Sequence, residues 1–251
     1  MLILLPPSQG KTAPQAGSPV DLAELSHPEL TAARRRVGQA LILASGRRNA
    51  ARLLGAGPSL ADEVARNTAL WDNPAATAAE VYSGVLYEAA GAANWSPETA
   101  HRAAERVRIM SALWGIVSPA DSIPAYRLSM GTALGRIGPL AAFWRERLAP
   151  TLRRESADHL VVDCRSSDYA AVWRGDKRST LAVRVERDLN GTRSVVSHNA
   201  KHARGLLTAA LISAQTEPNT PDQIAHLATQ IPGITLVELR PGQITLVTEH
   251  L

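Results

Sequence analysis

Four consecutive aliphatic residues, Leu2–Leu5, run straight into Pro6-Pro7, and no other feature limits the fold of this chain so tightly. Such a run reads as a buried strand, because nothing in it is suited to face water, and the prolines end it. The loop that follows, Ser8-Gln9-Gly10-Lys11-Thr12, closes on Gly-Lys-Thr, as a phosphate-wrapping loop does. A loop of that kind needs a further glycine five positions ahead of its Gly-Lys, and Leu5 stands there. It must also enter a helix directly, so that the helix N-terminus can hold the phosphate. Here Ala13-Pro-Gln-Ala-Gly-Ser-Pro19 follows instead. The segment is not a nucleotide-binding loop, and a lysine beside two hydroxyls at the end of the first strand needs another explanation.

With 251 residues the chain can bury a full core, and one domain spanning 1–251 is expected. Apolar residues at 45% and charged residues at 20% fit an ordinary globular chain. The aromatics are five Trp, four Tyr and one Phe, so Ala, Leu, Val and Ile must make most of the core. A net charge of +4 suits phosphate-bearing partners. The lone cysteine, Cys164, excludes an internal disulfide and a cysteine-rich zinc site. His198 and His202 stand at i and i+4, but no Glu follows the first and no third ligand is evident, so neither a metal nor a cofactor is expected. No apolar stretch reaches the roughly 18 residues of a spanning helix. Leu2–Leu5 lacks the length and basic lead of a secretory signal, so the expectation is a cytoplasmic protein without membrane contact.

Along the chain, residues 13–30 are rich in Pro, Gly and Ser and read as an extended surface excursion. Helical periodicity starts at Thr31, with Leu30, Val37, Ala40, Leu41 and Ala44 on one face and Arg34 to Arg36 on the other. It runs through Asn49–Leu54, breaks at Gly55-Ala56-Gly57-Pro58, and restarts with Ser59 as N-cap and Asp62-Glu63 in the first turn. Further helices fit 75–81, 97–108 and 139–154. Then the pattern changes. His159–Cys164 reads as a buried strand, and Thr180–Glu186 and Ser194–Ser197 flank a turn carrying Asn190-Gly191. Lys201–Gln215 is a helix, and Ile234–Leu239 with Gln243–Thr248 form a hairpin around Arg240-Pro-Gly. The fold class is mixed α/β (α+β), a single domain with a mixed central sheet that the first strand joins.

Four stretches carry candidate chemistry. The segment Met110–Gly131 holds Trp114, Pro119, Asp121, Pro124, Tyr126 and Arg127, a stiff run with a buried aromatic and an Asp–Arg pair within loop reach. Val162–Tyr169 ends a strand in Asp163, Ser166, Ser167 and Tyr169, where α/β proteins place their sites. Ser197–Gly205 puts Lys201 and Arg204 on one face of a helix start near Asn199, an arrangement suited to phosphate or carboxylate. Leu53–Ala61 matches the helix-hairpin-helix pattern, with Gly55 and Gly57 as its glycines, Ser59 after them and Arg47, Arg48 and Arg52 just upstream. A turn of that kind can hold a DNA phosphate on backbone amides without reading bases. Each stretch also has a plain structural reading: a fold staple, a helix cap, or a glycine-ended helix.

Taken together, these blocks resemble the YaaA family of peroxide-stress response proteins. The opening strand with Ser8…Lys11-Thr12, the Met110-Ser-Ala-Leu-Trp-Gly…Pro-Ala-Asp…Pro-Ala-Tyr-Arg-Leu-Ser-Met-Gly131 block, Ser166-Ser-Asp-Tyr169 and Ala200-Lys-His-Ala-Arg-Gly205 occur in the family's order over nearly the whole chain. The resemblance implies a single α/β domain of unusual topology with a helix-hairpin-helix element within about residues 34–72 and a positively charged cleft. It further implies sequence-independent DNA binding, including bent forms, and a role in limiting intracellular iron and oxidative DNA damage. By motif it maps Lys11 and Thr12, Tyr126 and Arg127, Ser167 and Tyr169, and Lys201 and Arg204 onto shared blocks. The chain departs in its opening loop, which is longer than the family's Ser-Pro-Ala-Lys-Thr, and in its shortage of lysine.

Two functions follow. One is a DNA-binding stress protein without turnover, which uses Arg47, Arg48, Arg52, Gly55, Gly57 and Ser59. The other is an enzyme or binder for a small anionic or nucleotide-like ligand. There Lys11, Arg127, Lys201 and Arg204 neutralise charge, Asp163 or Tyr169 handles protons, and Ser8, Thr12, Tyr126, Ser166, Ser167 and Asn199 complete the pocket.

Overall fold

A mixed sheet of eight strands organises the chain. The computed structural model describes residues 1–189, 191–195 and 198–249, apart from the side chains of His198 and Asn199. Across the sheet the order is Ile234–Arg240, Gln243–Thr248, Thr180–Leu189, Val161–Asp163, Leu2–Leu5, Val107–Ser111 and Gly115–Val117. Thr192–Val195 pairs with the far end of Thr180–Leu189. Leu2–Leu5 lies at the centre, parallel to Val107–Ser111 on one side and to Val161–Asp163 on the other. Its four residues are at most 3% exposed. An uninterrupted aliphatic run is what a parallel strand covered on both faces requires, and each such side chain contributes roughly 1.5–3 kcal/mol of burial.

From this strand the chain goes first to Val107–Ser111 and Gly115–Val117 on one side, then crosses back to Val161–Asp163 on the other. The strand order therefore reverses at Leu2–Leu5. In open α/β sheets a crevice forms at such a reversal, beyond the carboxyl ends of the strands. The segments that emerge at that edge are Pro6–Lys11, the loop after Ser111, and Cys164–Tyr169. One contiguous apolar cluster joins residues from Met1 to Leu246, so both halves of the chain share a core.

Several local expectations need correction. Arg34 is not on a solvated face: it is completely buried and donates to the carbonyls of Trp114 (3.0 Å), Ile116 (2.8 Å), Ser26 (2.7 Å) and His27 (3.3 Å). Its spacing from Leu30, Val37 and Leu41 puts it on their face, and the carbonyls replace its hydration. Burial nevertheless lowers its pKa to about 10, against the opposing charges of Asp121 and Glu29. Ser59 is not an N-cap. Pro58 starts a 3-10 turn, Pro58–Leu60, one residue earlier, with extended Gly57 ahead of it, and the helix Ala61–Arg66 follows. Asp121 does not pair with Arg127; its carboxylate accepts from the Ser26 amide and hydroxyl and from the Ser118 amide. Residues 75–81 divide into a strand, Ala75–Thr77, and one helical turn, Ala78–Val81, opened by a Thr77–Glu80 capping box. The helix Pro97–Arg106 stops where the apolar strand Val107–Ser111 begins. Asn190, Val196 and Ser197 of the anticipated hairpin lie outside the described residues.

Candidate functional site

The loop after the first strand is tied down along its length. Tyr87 donates its hydroxyl to the Pro6 carbonyl (2.7 Å), and the Ser83 amide donates to Ser8 Oγ (3.1 Å), which itself donates to the Gly10 carbonyl. Lys11 forms a bridge with Tyr82, and the Thr12 amide donates to the Val81 carbonyl (2.9 Å). This anchoring turns the Lys11 side chain inward. Its Nζ donates to the carbonyls of Ser8 (2.9 Å) and Gln9 (3.4 Å), and lies 4.3 Å from the ring centre of Tyr126 and 5.6 Å from that of Tyr82. Thr12 is exposed.

Arg127 arrives from a different part of the chain. Asn67, itself buried, grips its backbone from both sides: the Arg127 amide donates to Asn67 Oδ1 (2.8 Å), and Asn67 Nδ2 donates to the Arg127 carbonyl (3.0 Å) and to Ser45 Oγ (3.1 Å). Held in this way, the guanidinium donates to the Gln9 carbonyl and to Glu63 Oε2, each at 3.3 Å. Lys11 and Arg127 thus meet on one oxygen. Burial of the ammonium first, and the neighbouring Arg127 charge second, lower the Lys11 pKa to about 7, with Glu63 opposing.

Behind them runs a buried hydroxyl chain. Ser111 Oγ accepts from the amides of Leu113 (3.2 Å) and Trp114 (2.9 Å), which occupies both its lone pairs. Its proton therefore goes to the Tyr126 oxygen at 2.7 Å, and Tyr126 contacts the Tyr82 hydroxyl at 2.9 Å. Burial raises the pKa of Tyr82, Tyr87, Tyr126 and Tyr169, and the mutual proximity of these phenols adds to the shift. All four tyrosines of the chain gather here, and they remain protonated donors at neutral pH.

Asp163 is occupied otherwise. Its two oxygens take Arg165 Nε (2.8 Å) and Nη2 (2.6 Å), and Oδ1 also takes the Arg165 amide (3.0 Å). Arg165 is fully enclosed and donates further to the carbonyls of Tyr169 (3.2 Å) and Trp173 (2.6 Å), so the pair fixes the strand-end loop. Ser166 and Ser167 are exposed at the start of the short helix Ser167–Ala170. In the helix His198–Ser213, Lys201 is exposed, while Arg204 donates to the Val183 carbonyl (2.8 and 3.3 Å) and secures the helix to the sheet. The Asn199 side chain lies outside the described residues.

Of the anticipated ligand set, Ser8, Lys11, Tyr126 and Arg127 come together, with Tyr169 near the same tyrosines. Ser111 of the Met110–Gly131 block joins them, and Glu63, Asn67 and Tyr82 complete the cluster without any sequence motif of their own. Two surface cavities, of about 470 and 440 Å³, lie elsewhere and touch neither Lys11 nor Arg127.

A separate surface carries the arginine-flanked turn. Arg47, Arg48 and Arg52 are exposed and make no ion pair among the described residues. Gly55 takes φ 62°, a conformation that favours glycine, and a Cβ at Gly55 or Gly57 would meet no neighbour. Ser59 is exposed beside them. The flanking helices, Ala50–Leu53 and Ala61–Arg66, are four and six residues long, anchored by buried Leu54 and Val64.

A family model described as peroxide stress protein YaaA matches residues 1–231. A UPF0246 protein of Streptomyces coelicolor is 41% identical over 90% of this chain and 88% of its own length. One from Corynebacterium efficiens is 40% identical over 97% of each chain, and one from Corynebacterium glutamicum 38% over 95% of each.

Proposed function

The chain belongs to the YaaA family of peroxide stress proteins, and on that footing we propose that it binds DNA without reading its sequence, as a cytoplasmic member of the peroxide stress response. The observation that carries this reading is the set of three exposed arginines, Arg47, Arg48 and Arg52, next to an open turn at Gly55–Ser59. With no acidic partner among the described residues, their charge is available to phosphates, and the small glycines allow a backbone to approach closely. Binding of this kind weakens steeply with salt, because each phosphate contact contributes about 0.9 to the slope of log affinity against log salt. Fluorescence anisotropy on straight and bent duplexes, from low to moderate salt, tests it. The variant carrying Arg47→Gln, Arg48→Gln and Arg52→Gln should lose about two to three units of that slope. An affinity indifferent to salt, or a variant that binds like the parent, refutes the proposal.

A second reading rests on the convergence of Lys11 and Arg127 on the Gln9 carbonyl. Like charges gathered at the switch edge of the sheet suit a small anionic ligand, with Ser8 and Tyr126 beside them. Here Lys11→Met together with Arg127→Gln should abolish small-anion binding and leave DNA affinity intact. Loss of both, or of neither, rejects a separate pocket.

A further inference from the structure

The basic residues of this chain are very unequally divided. Of 27 Lys and Arg, only Lys11, Lys177 and Lys201 are lysines. Lys177 and Lys201 are exposed, as a solvated lysine ordinarily is. Lys11 is half-buried instead, its amine against the faces of two tyrosines and sharing the Gln9 carbonyl with the guanidinium of Arg127. Among the described residues no carboxylate forms an ion pair with it; the neighbouring Glu63 pairs with Arg127 instead. Arg34 and Arg165 fill fully buried positions of this chain, whereas a lysine stands at this half-buried one, and here the difference matters chemically. An arginine there could never lose its proton, whereas a lysine can become a free amine.

We propose that Lys11 is the nucleophile of a Schiff-base site for small carbonyl compounds bearing a carboxylate, the class of 2-oxo acids and aldehyde acids. The proposal rests on the second reading above and deepens it. Desolvation together with an adjacent cation is an established way to activate a lysine amine, and both are present here. The depressed pKa of Lys11, about 7, leaves roughly half of the amine free at neutral pH. Arg127 keeps 17% of its side chain exposed and spends only Nη1 on Glu63 and Gln9 among the described residues, which leaves guanidinium donors for a ligand carboxylate. The Nζ–Gln9 contact lies on the solvent side of the cluster, which gives the reagent an approach.

In the reaction the Nζ lone pair adds to the carbonyl carbon while the carbonyl π pair moves to oxygen. One nitrogen proton passes to that oxygen, giving a carbinolamine. Loss of water then forms the C=N bond, and the imine nitrogen carries the remaining positive charge once protonated. Nothing is oxidised or reduced, and water is the only product released.

The experiment uses the full chain, glyoxylate and sodium cyanoborohydride, with peptide mass spectrometry to follow carboxymethylation at each lysine. At pH 7 Lys11 should be modified at least about tenfold faster than Lys177 and Lys201, which serve as controls within the same molecule. Arg127→Gln should slow Lys11 several-fold at pH 7 and much less at pH 10, because it removes the adjacent cation. Modification of Lys11 no faster than that of Lys177 and Lys201 overturns the inference. Oxalate, which carries the anion but no reactive carbonyl, separates the two readings. If it raises the melting temperature of the parent but not of Arg127→Gln while Lys11 stays unmodified, the anion pocket survives and the imine does not. If it does neither, both fail.

Discussion

Replacing Lys11 by Met gives a direct physical test of the buried amine. Methionine keeps much of the length of the side chain and fixes it as neutral. In the native protein the ammonium loses its proton near pH 7, because burial and then Arg127 disfavour the charge; in the unfolded chain it does so near its ordinary value of about 10.4. Between these values the unfolded state binds the extra proton. Stability must therefore rise with pH across that window, by about 1.4 kcal/mol per unit at most. Below pH 7 both states are protonated, and the penalty for the buried charge is fully present, on the order of 4–5 kcal/mol relative to a neutral amine. The hydrogen bonds to the Ser8 and Gln9 carbonyls, which methionine loses, add an offset that does not vary with pH in this way. Urea unfolding of parent and Lys11→Met at pH 6.5, 8 and 9.5 isolates the slope. The stability of the parent relative to the variant should climb steadily with pH. The raised pKa values of the four tyrosines act near pH 10 in both proteins and cancel in the difference. A flat difference would show that Lys11 titrates like an exposed lysine, and one that falls as pH rises would show that the fold favours its charge; either would remove the basis for its reactivity.

Two further outcomes test the frame around the site. Arg34→Met leaves four carbonyls without their donor, those of Ser26, His27, Trp114 and Ile116; it should cost at least about 3 kcal/mol in urea unfolding, and a loss below about 1 kcal/mol would refute the assigned role. In Gly205→Ala the added Cβ would sit 2.3 Å from the Leu86 carbonyl oxygen and 2.7 Å from Ala89 Cβ. Helix propensity favours alanine by about 1 kcal/mol, so a variant as stable as the parent would show that the contact yields easily; a net loss of about 1–2 kcal/mol is expected.

What could be read from residues alone divides along physical lines. The central strand was legible because Leu2–Leu5 has no polar alternation, and the last hairpin because Arg240-Pro-Gly242 has the chemistry of a turn. The helix His198–Ser213 was legible in its body and begins three residues before Lys201. Arg34 carries two opposed signals, a charge that suits a solvated face and a spacing from Leu30 and Val37 that puts it on the buried one, and the spacing prevails because backbone carbonyls replace its hydration. Val107–Ser111 was hidden behind a helix whose pattern runs into it. At the site, Lys11, Tyr126 and Arg127 stood in recognisable blocks. Their partners Glu63, Asn67 and Tyr82 did not, since a hydrogen bond across the fold leaves no local periodicity in the chain. Asp163 was recognisable as a strand-end acid, but its commitment to Arg165, two residues on, depends on how the loop turns.

The central position of the first strand also sets a schedule for synthesis. Ile3 pairs with Val107 and Val162, and with nothing nearer in the chain. A ribosome adding about 5–20 residues per second needs on the order of ten seconds or more to deliver both neighbours. Through that interval the four aliphatic residues have no sheet to enter, and a short apolar segment of high strand propensity is a hazard when left open. The two prolines directly after Leu5 limit it, since they bar the segment from lengthening into a longer adhesive strand. Pro6 and Pro7 therefore shape the finished loop around Lys11 and also guard the nascent chain before that loop exists.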